Sequence, residues 1–269
     1  MINDLMVDVL ANLVKRHRRI SLSSAADILG MDQSELASLA SSLSIRDEFE
    51  LFDNSICFLM PRDQDAYRVR LRSHYIEKYA IGRLASSFFK SGDHVVVEAG
   101  STMTILAQHM AQVGRVRVST NSYAVASMII GAESNSDIHL IGGHLYTDGQ
   151  GALGPIALET VKGLKADWGV ISPVGLSADG NIMYYDEEEA EFARAIIASC
   201  QRTMVLCNSS KIGVPSRYVA GSCSKVDLLI VDSGVEPSIL NRLVAQGLND
   251  VHIADVDAEA ASEIVLLDI

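Results

Sequence analysis

His94–Met110 reads HVVVEAGSTMTILAQHM, and the way this stretch is read decides the fold. Val95, Val96 and Val97 form a short β-branched run that suits a buried strand. Glu98-Ala99-Gly100-Ser101-Thr102 turns the chain, and Met103–Met110 continues as a helix with Ile105, Leu106 and Met110 inward. A glycine and two hydroxyls between strand and helix make a small anion cradle. Gly100 lets backbone approach a ligand, Ser101 and Thr102 offer hydroxyls, and free N–H groups at the helix start favour negative charge. An ordinary strand–helix turn with Ser101 or Thr102 as N-cap explains the same residues.

Downstream the two kinds of element alternate. Arg115–Thr120 reads as a strand ending in Thr120-Asn121-Ser122, before a helix over Ala124–Ile130. Ile138–Ile141 ends in Gly142-Gly143, and Gly154-Pro155 opens a helix to Lys165. Trp168–Ser172 is a strand and Glu187–Cys200 a helix. Thr203–Cys207 then leads into Asn208-Ser209-Ser210-Lys211. Leu228–Val231, a helix near Pro237–Ala245 and Val251–Ala254 complete the series. Such alternation predicts an α/β domain with a mostly parallel sheet. Ligands of open sheets sit beyond the strands' C-terminal ends. The groups there are Ser101, Thr102, Thr120, Asn121, Ser122, Gly142, Gly143 and Lys211. Capping or turn chemistry explains each alone; together they favour a small polyol or sugar phosphate.

Upstream, Asp4–His17 has Leu5, Val9, Leu10, Leu13 and Val14 on one helical stripe. The basic run Lys15-Arg16-His17-Arg18-Arg19 closes it, suited to the helix dipole or to a phosphate backbone. Ser23 or Ser24 starts a second helix, Gly30-Met31-Asp32 turns tightly, and Gln33–Leu43 is a third with Leu36, Leu39, Ala40 and Leu43 inward. This fits a helix-turn-helix, and Glu50–Met60, turned at Asp53-Asn54-Ser55, supplies a hairpin wing. The third helix has no Lys or Arg on its outer face. DNA affinity is therefore expected from phosphate contacts by Lys15, Arg16, Arg18 and Arg19. Gln33 offers the one bidentate base contact, beside Ser34 and Ser38. Pro61–Asp65 reads as a linker, and Ala66–Ser91 as one long helix whose apolar excess offers a face to a second subunit. The expected division is 1–62 for DNA binding and 63–269 for ligand binding, with the connecting helix over 66–91.

The formal net charge of -12 is unevenly spread. Residues 1–72 hold 9 Lys+Arg and 11 Asp+Glu; the rest hold 13 and 23, so acidity lies away from the presumed DNA-binding part. No run of about 18 uncharged apolar residues exists to span a membrane. The basic cluster follows the N-terminal apolar stretch, the reverse of a secretory signal. Cys57, Cys200, Cys207 and Cys223 show no CxxC spacing, which argues against structural zinc and a disulfide framework and for a reducing cytoplasm. No cofactor or metal is expected.

Seven segments carry a resemblance to a known family. They are Val97–Thr104 (VEAGSTMT), Val118–Ser122 (VSTNS), Leu140–Gly143 (LIGG), Gly151–Pro155 (GALGP), Lys165–Asp167 (KAD), Glu188–Ala195 (EEAEFARA) and Ser209–Gly213 (SSKIG). In order and spacing the chain resembles the DeoR-type transcriptional regulators of sugar metabolism, while residues 1–60 match in layout only. The resemblance implies a winged helix-turn-helix and an α/β effector domain of the ribose-5-phosphate isomerase/CoA-transferase-like type. It also implies a repressor of a sugar-catabolic operon, relieved by a sugar or sugar phosphate. A single winged helix with so few cations would bind operator DNA too weakly alone, so a homo-oligomer on paired half-sites is expected. Gly100, Ser101 and Thr102 would hold the effector's anionic or polyol end, and Thr120, Asn121, Ser122, Gly142 and Gly143 would line the pocket. Glu189 and Lys211 would close it. Against the family pattern, Glu98 replaces Asp and Met103 replaces Thr. Ala193 replaces a lysine and Val174 an acidic residue, so both take charge out of the implied site. Ala37-Ser38-Leu39 stand where Arg-Arg-Asp is usual, and the wing lacks the basic His-Gly-Gly segment. Two other functions stay open: a sensor acting through partner proteins without DNA, and a sugar-phosphate isomerase or deaminase. The enzyme would need a carboxylate base beside a lysine or histidine.

Overall fold

The structure is a computed structural model describing residues 2–17, 19–44, 49–52, 54–58, 66–132, 134–145 and 151–256. Its first elements are α1 (Ile2–His17), β1 (Arg19–Ser21), α2 (Leu22–Leu29), α3 (Gln33–Leu43), β2 (Phe49–Phe52) and β3 (Ser55–Phe58). The three strands pair antiparallel in the order β1-β3-β2. Leu36, Leu39, Ala40 and Leu43 of α3 are buried, as their spacing predicts, and share a core with Leu10, Val14 and Ile56. Ser21, not Ser23 or Ser24, caps α2 by accepting from the Ser24 N–H at 3.1 Å. Gly30 ends α2 at φ 63, and Asp32 caps α3. The linker read at Pro61–Asp65 lies outside the described residues.

The long helix expected over 66–91 is two helices, α4 (Ala66–Arg72) and α5 (Tyr75–Ser86). His74, at φ 52, turns the chain between them. Neither Pro nor Gly makes this break; a buried lysine holds it. Lys78 Nζ donates to the Arg70 carbonyl and, at 2.7 Å, to the Ser73 carbonyl. Those are helix-end acceptors that would otherwise lack partners.

Then follow β4 (His94–Val97), α6 (Ser101–Met110), β5 (Arg117–Thr120), α7 (Tyr123–Gly131), β6 (Asp137–Leu140), β7 (His144–Leu145), β8 (Ala152–Leu153) and α8 (Pro155–Lys162). After them come β9 (Ala166–Ile171), β10 (Gly175–Leu176), β11 (Asn181–Tyr184), α9 (Glu187–Ser199), β12 (Cys200–Leu206), β13 (Tyr218–Ser222), β14 (Leu228–Asp232), α10 (Pro237–Ala245) and β15 (Val251–Ala254). Seven strands form one parallel sheet in the order β15-β14-β12-β9-β4-β5-β6. Alternation along β4 shows the layering. Val95 and Val97 pack with Ile81 of α5 and Leu106 of α6, whereas Val96 joins Val161 of α8 and Ile196 of α9 on the other face. The sequence reading ran α8 on to Lys165, but it stops at Lys162, where Gly163 caps it. That reading also lacked the antiparallel sheet β10-β11-β13 and the ribbon β7-β8. Three of these five strands have only two residues, too few for a periodicity.

Strand order reverses between β4 and β9, because the chain proceeds from β4 to one side and from β9 to the other. Neighbouring loops diverge there and leave a crevice. Close packing beside it depends on Gly169 of β9. A Cβ at Gly169 would lie 2.5 Å from Ile196 Cγ2 and 2.9 Å from Cys200 Sγ. Gly169→Ala should therefore cost about 1–3 kcal/mol in urea unfolding. Combined with Ile196→Ala it should cost less than the sum of the two single changes, because the second truncation removes the clashing methyl.

Candidate functional site

A cavity opens where the strand order reverses. The turn after β4 contributes Glu98, Ala99, Gly100 and Ser101; Asn121 follows β5, and Gly151 and Leu153 approach from β8. Ser172 and Val174 follow β9, Tyr184 and Tyr185 come from the end of β11, and α9 supplies Glu189 and Phe192. Lys211 reaches in from the turn after β12, and Arg70 from α4.

Helix α6 begins at Ser101, two residues before the start read from the sequence. Gly100 is its N-cap, at φ 155 and ψ 161, and no side chain caps the helix. The N-cap reading of Ser101 or Thr102 is thereby overturned: both lie inside the first turn. A Cβ at Gly100 would meet nothing nearer than Met103 Cγ at 4.0 Å, so conformation rather than space calls for glycine. Gly151 is the opposite case. A Cβ there would lie 2.6 Å from Ala99 Cβ and 2.9 Å from Asn121 Nδ2.

The cavity holds charge in a poorly hydrated place. Glu98 is buried, and its Oε2 accepts from the Ser172 N–H and the Tyr184 hydroxyl, both at 2.9 Å. Burial pushes its carboxyl up to about 8; the two hydrogen bonds pull down and nearby Glu189 adds to the rise. Near neutrality Glu98 is thus mainly a protonated acid, able to donate to a ligand hydroxyl. The Tyr184 hydroxyl lies well above its ordinary value through burial and the Glu98 charge. Lys211 Nζ donates to the Pro173 carbonyl at 3.0 Å. Burial lowers its ammonium, as does Arg70, while Glu98 and Glu189 support it. Asn121 is 2% exposed; its Nδ2 donates to the Ala152 carbonyl at 3.0 Å, and its Oδ1 has no hydrogen-bond partner among the described residues. A buried acceptor of that kind fits a ligand hydroxyl.

Of the residues singled out in the sequence, Gly100, Ser101, Asn121, Glu189 and Lys211 line this cavity together. Thr102, Thr120, Ser122, Gly142 and Gly143 do not line it. Thr102 is buried within α6, the Thr120 hydroxyl accepts from the Ser122 N–H, and Ser122 caps α7. Gly143 fits against the Leu153 carbonyl, 2.5 Å from a would-be Cβ. Ala193 belongs to the hydrophobic core, so its lack of charge takes nothing from the cavity, whereas Val174 does line it. Sequence reading missed Arg70 and Tyr184. Arg70 falls in the helix read over 66–91, where nothing local points to a ligand, and Tyr184 in a strand with no sequence reading of its own.

At the N-terminal elements, Gln33, Ser34 and Ser38 are exposed on α3. The Ser34 hydroxyl donates to Asp32, and those of Ser41 and Ser42 donate to carbonyls of their own helix. Lys15 Nζ lies over the rings of Phe49 and Phe58, at 5.6 and 5.3 Å. Arg19 Nη1 donates to the Gly213 carbonyl at 3.0 Å, two residues beyond Lys211, and does not stand open for a phosphate. Arg18 and the Arg16 side chain lie outside the described residues.

The family model described as the DeoR C terminal sensor domain matches residues 73–233. The chain belongs to the DeoR family of transcriptional regulators. Within that family it is similar to the HTH-type transcriptional repressor GlcR of Bacillus subtilis, 32% identical over 62% of this chain and 64% of the repressor. It is also similar to the glycerol-3-phosphate regulon repressor of Escherichia coli, 28% identical over 66% of this chain and 68% of the repressor. The chain thus spans about two thirds of the length of these curated relatives. Among solved structures, a ribose-5-phosphate isomerase in complex with phospho-erythronic acid overlaps 50% of this chain and 52% of its own, at 14% identity and a TM-score of 0.37.

Because burial raises Glu98 from 4.5 to about 8, the folded state keeps a proton there that the unfolded chain gives up. Stability from this group should fall as pH rises from about 4.5 to about 8 and then level off. Glu98→Gln, which keeps an acceptor for Ser172 and Tyr184, should match the native chain near pH 5 and exceed it near pH 8, as read from urea midpoints.

Proposed function

We propose that the chain is an effector-responsive transcriptional repressor of the cytoplasm. In this reading residues 1–62 are a winged helix-turn-helix that binds operator DNA, and 63–269 are a sensor that binds a sugar or polyol phosphate. The observation that carries it is the cavity at the strand-order reversal, where the first turn of α6, Arg70 and Lys211 surround space also reached by Asn121, Glu98 and Glu189. Cations and helix N–H groups suit an anion, and an amide with carboxyl groups suits hydroxyls. The relatives are repressors by name, one of them of a glycerol-3-phosphate regulon, which favours regulation over isomerase chemistry. Gly100, Ser101, Asn121, Glu189 and Lys211 are the effector residues of this proposal. Lys15, Arg16 and Arg18, with Gln33, Ser34 and Ser38 of α3, are its DNA-binding residues. A small polar recognition helix needs paired half-sites, so the regulator acts as a homo-oligomer.

A second reading, a sensor acting through partner proteins, is favoured by the cation-free outer face of α3 and by the engagement of Arg19 with Gly213. Selection of bound genomic fragments by the full chain, with and without a panel of sugar phosphates, separates the two. Discrete fragments released by one sugar phosphate support the repressor; no enrichment supports the partner-dependent sensor.

Two outcomes follow from the preferred reading. Lys211→Ala should weaken a phosphorylated ligand by about 1.5–3 kcal/mol in calorimetry and its unphosphorylated counterpart far less, since a charged hydrogen bond is lost only in the first case. Neutralising Lys15, Arg16 and Arg18 should each flatten the salt slope of operator binding by about one unit.

A further inference from the structure

Arg70 and Lys78 belong to no site read from the sequence, yet Arg70 lines the cavity and Lys78 holds the Arg70 carbonyl. Arg70 lines the cavity from α4, the first described element after the N-terminal strands. The α4–α5 break holds it there. Lys78 Nζ binds the carbonyls of Arg70 and Ser73, while the Tyr67 hydroxyl and Thr104 Oγ1, 2.6 Å apart, tie α4 to α6. Lys211 lines the same cavity and feels the charge of Arg70. Arg70 and Lys211 thus line the cavity beside the first turn of α6, with Lys78 behind them and near enough to feel both charges. Their mutual cost shows in Lys78, whose ammonium is lowered to about 7 by burial first and then by the charges of Lys211 and Arg70, with Glu77 opposing.

Resting on the anion-site reading above and going beyond it, we propose that α4 is the responsive wall of the effector cavity. A dianionic phosphate monoester bridges Arg70 to the first turn of α6 and to Lys211, and so draws α4 onto α6. Lys78 is the positioning residue: it ties Arg70's own peptide to α5, so a pull on the guanidinium reaches the backbone of α4. Empty, the cavity leaves α4 tied to α6 through Tyr67 and Thr104, with the like charges of Arg70, Lys78 and Lys211 opposing closer approach. Filled, a doubly charged anion pairs with Arg70 and Lys211 and adds a second tie from α4 to α6. A singly charged carboxylate would compensate them less, which makes α4 a discriminator between phosphate esters and sugar acids.

Hydrogen exchange on the full chain tests this, with inorganic phosphate against chloride at matched ionic strength and acetate as the singly charged comparison. Phosphate should slow the amides of α4 by about tenfold as well as those at the start of α6, and acetate should do neither. Arg70→Gln should keep the slowing at α6 and lose it at α4, and Lys78→Met should do the same. If Lys78→Met fails to fold, Arg70→Gln alone decides. Slowing at α6 and the Lys211 turn with α4 unchanged in the native chain would overturn the coupling and leave the anion site intact. No local slowing anywhere, or uniform slowing of the whole chain as from an excluded salt, would overturn the anion site and the coupling with it.

Discussion

Two donors converge on one carboxylate oxygen of Glu98. The Ser172 N–H stands at the end of β9 and the Tyr184 hydroxyl on β11, so a residue just past β4 ties the next strand of the parallel sheet and the separate antiparallel sheet to one point. This is where adjacent parallel strands send their loops apart, and a crevice there would splay or fill with water without a tie. A buried carboxyl without partners would cost several kcal/mol; with them it can stay, protonated near neutrality, and hold the walls of the cavity. Gly151 and Gly169 serve the same end by subtraction, letting a loop and α9 approach where a methyl would collide.

What was legible in the sequence follows from how local its cause is. The strands β4, β9, β12 and β14 announce themselves because a strand buried on both faces is a short run of Val, Ile and Leu. The inner face of α3 follows from spacing alone, and helix α10 was read residue for residue. The break after Arg72 was invisible because nothing within it breaks a helix. Its cause is the ammonium of Lys78, which becomes a cap only once α5 folds back. For the same reason nothing local marks Arg70 as a cavity residue. The candidate site divides likewise: Gly100, Ser101 and Asn121 carry local turn signatures, whereas Tyr184 and Ser172 enter it only through pairing with Glu98.

The cavity's chemistry is mixed by construction. Its carboxyl groups, Glu98 and Glu189, face the cations Arg70 and Lys211, and burial mutes the first carboxyl more than the departure from an aspartate would suggest. With Glu98 protonated, Glu189 is the carboxyl group that opposes Arg70 and Lys211 there. The substitution of Glu for Asp there lengthens a hydrogen-bonding arm by one methylene; it does not add a charge.

The order in which the chain is made bears on all of this. The N-terminal sheet and its helices close through contacts within the first 58 residues. The cavity cannot exist until Ser172 and Tyr184, 74 and 86 residues beyond Glu98, have been synthesised and paired, and it lacks its lysine until the turn after β12 emerges. Parallel pairing across such separations is slow compared with a local hairpin. During synthesis a nascent chain therefore passes through a period in which the N-terminal sheet and helices are formed and the cavity is not, so nothing that binds in the cavity can act on the chain before the turn after β12 has emerged.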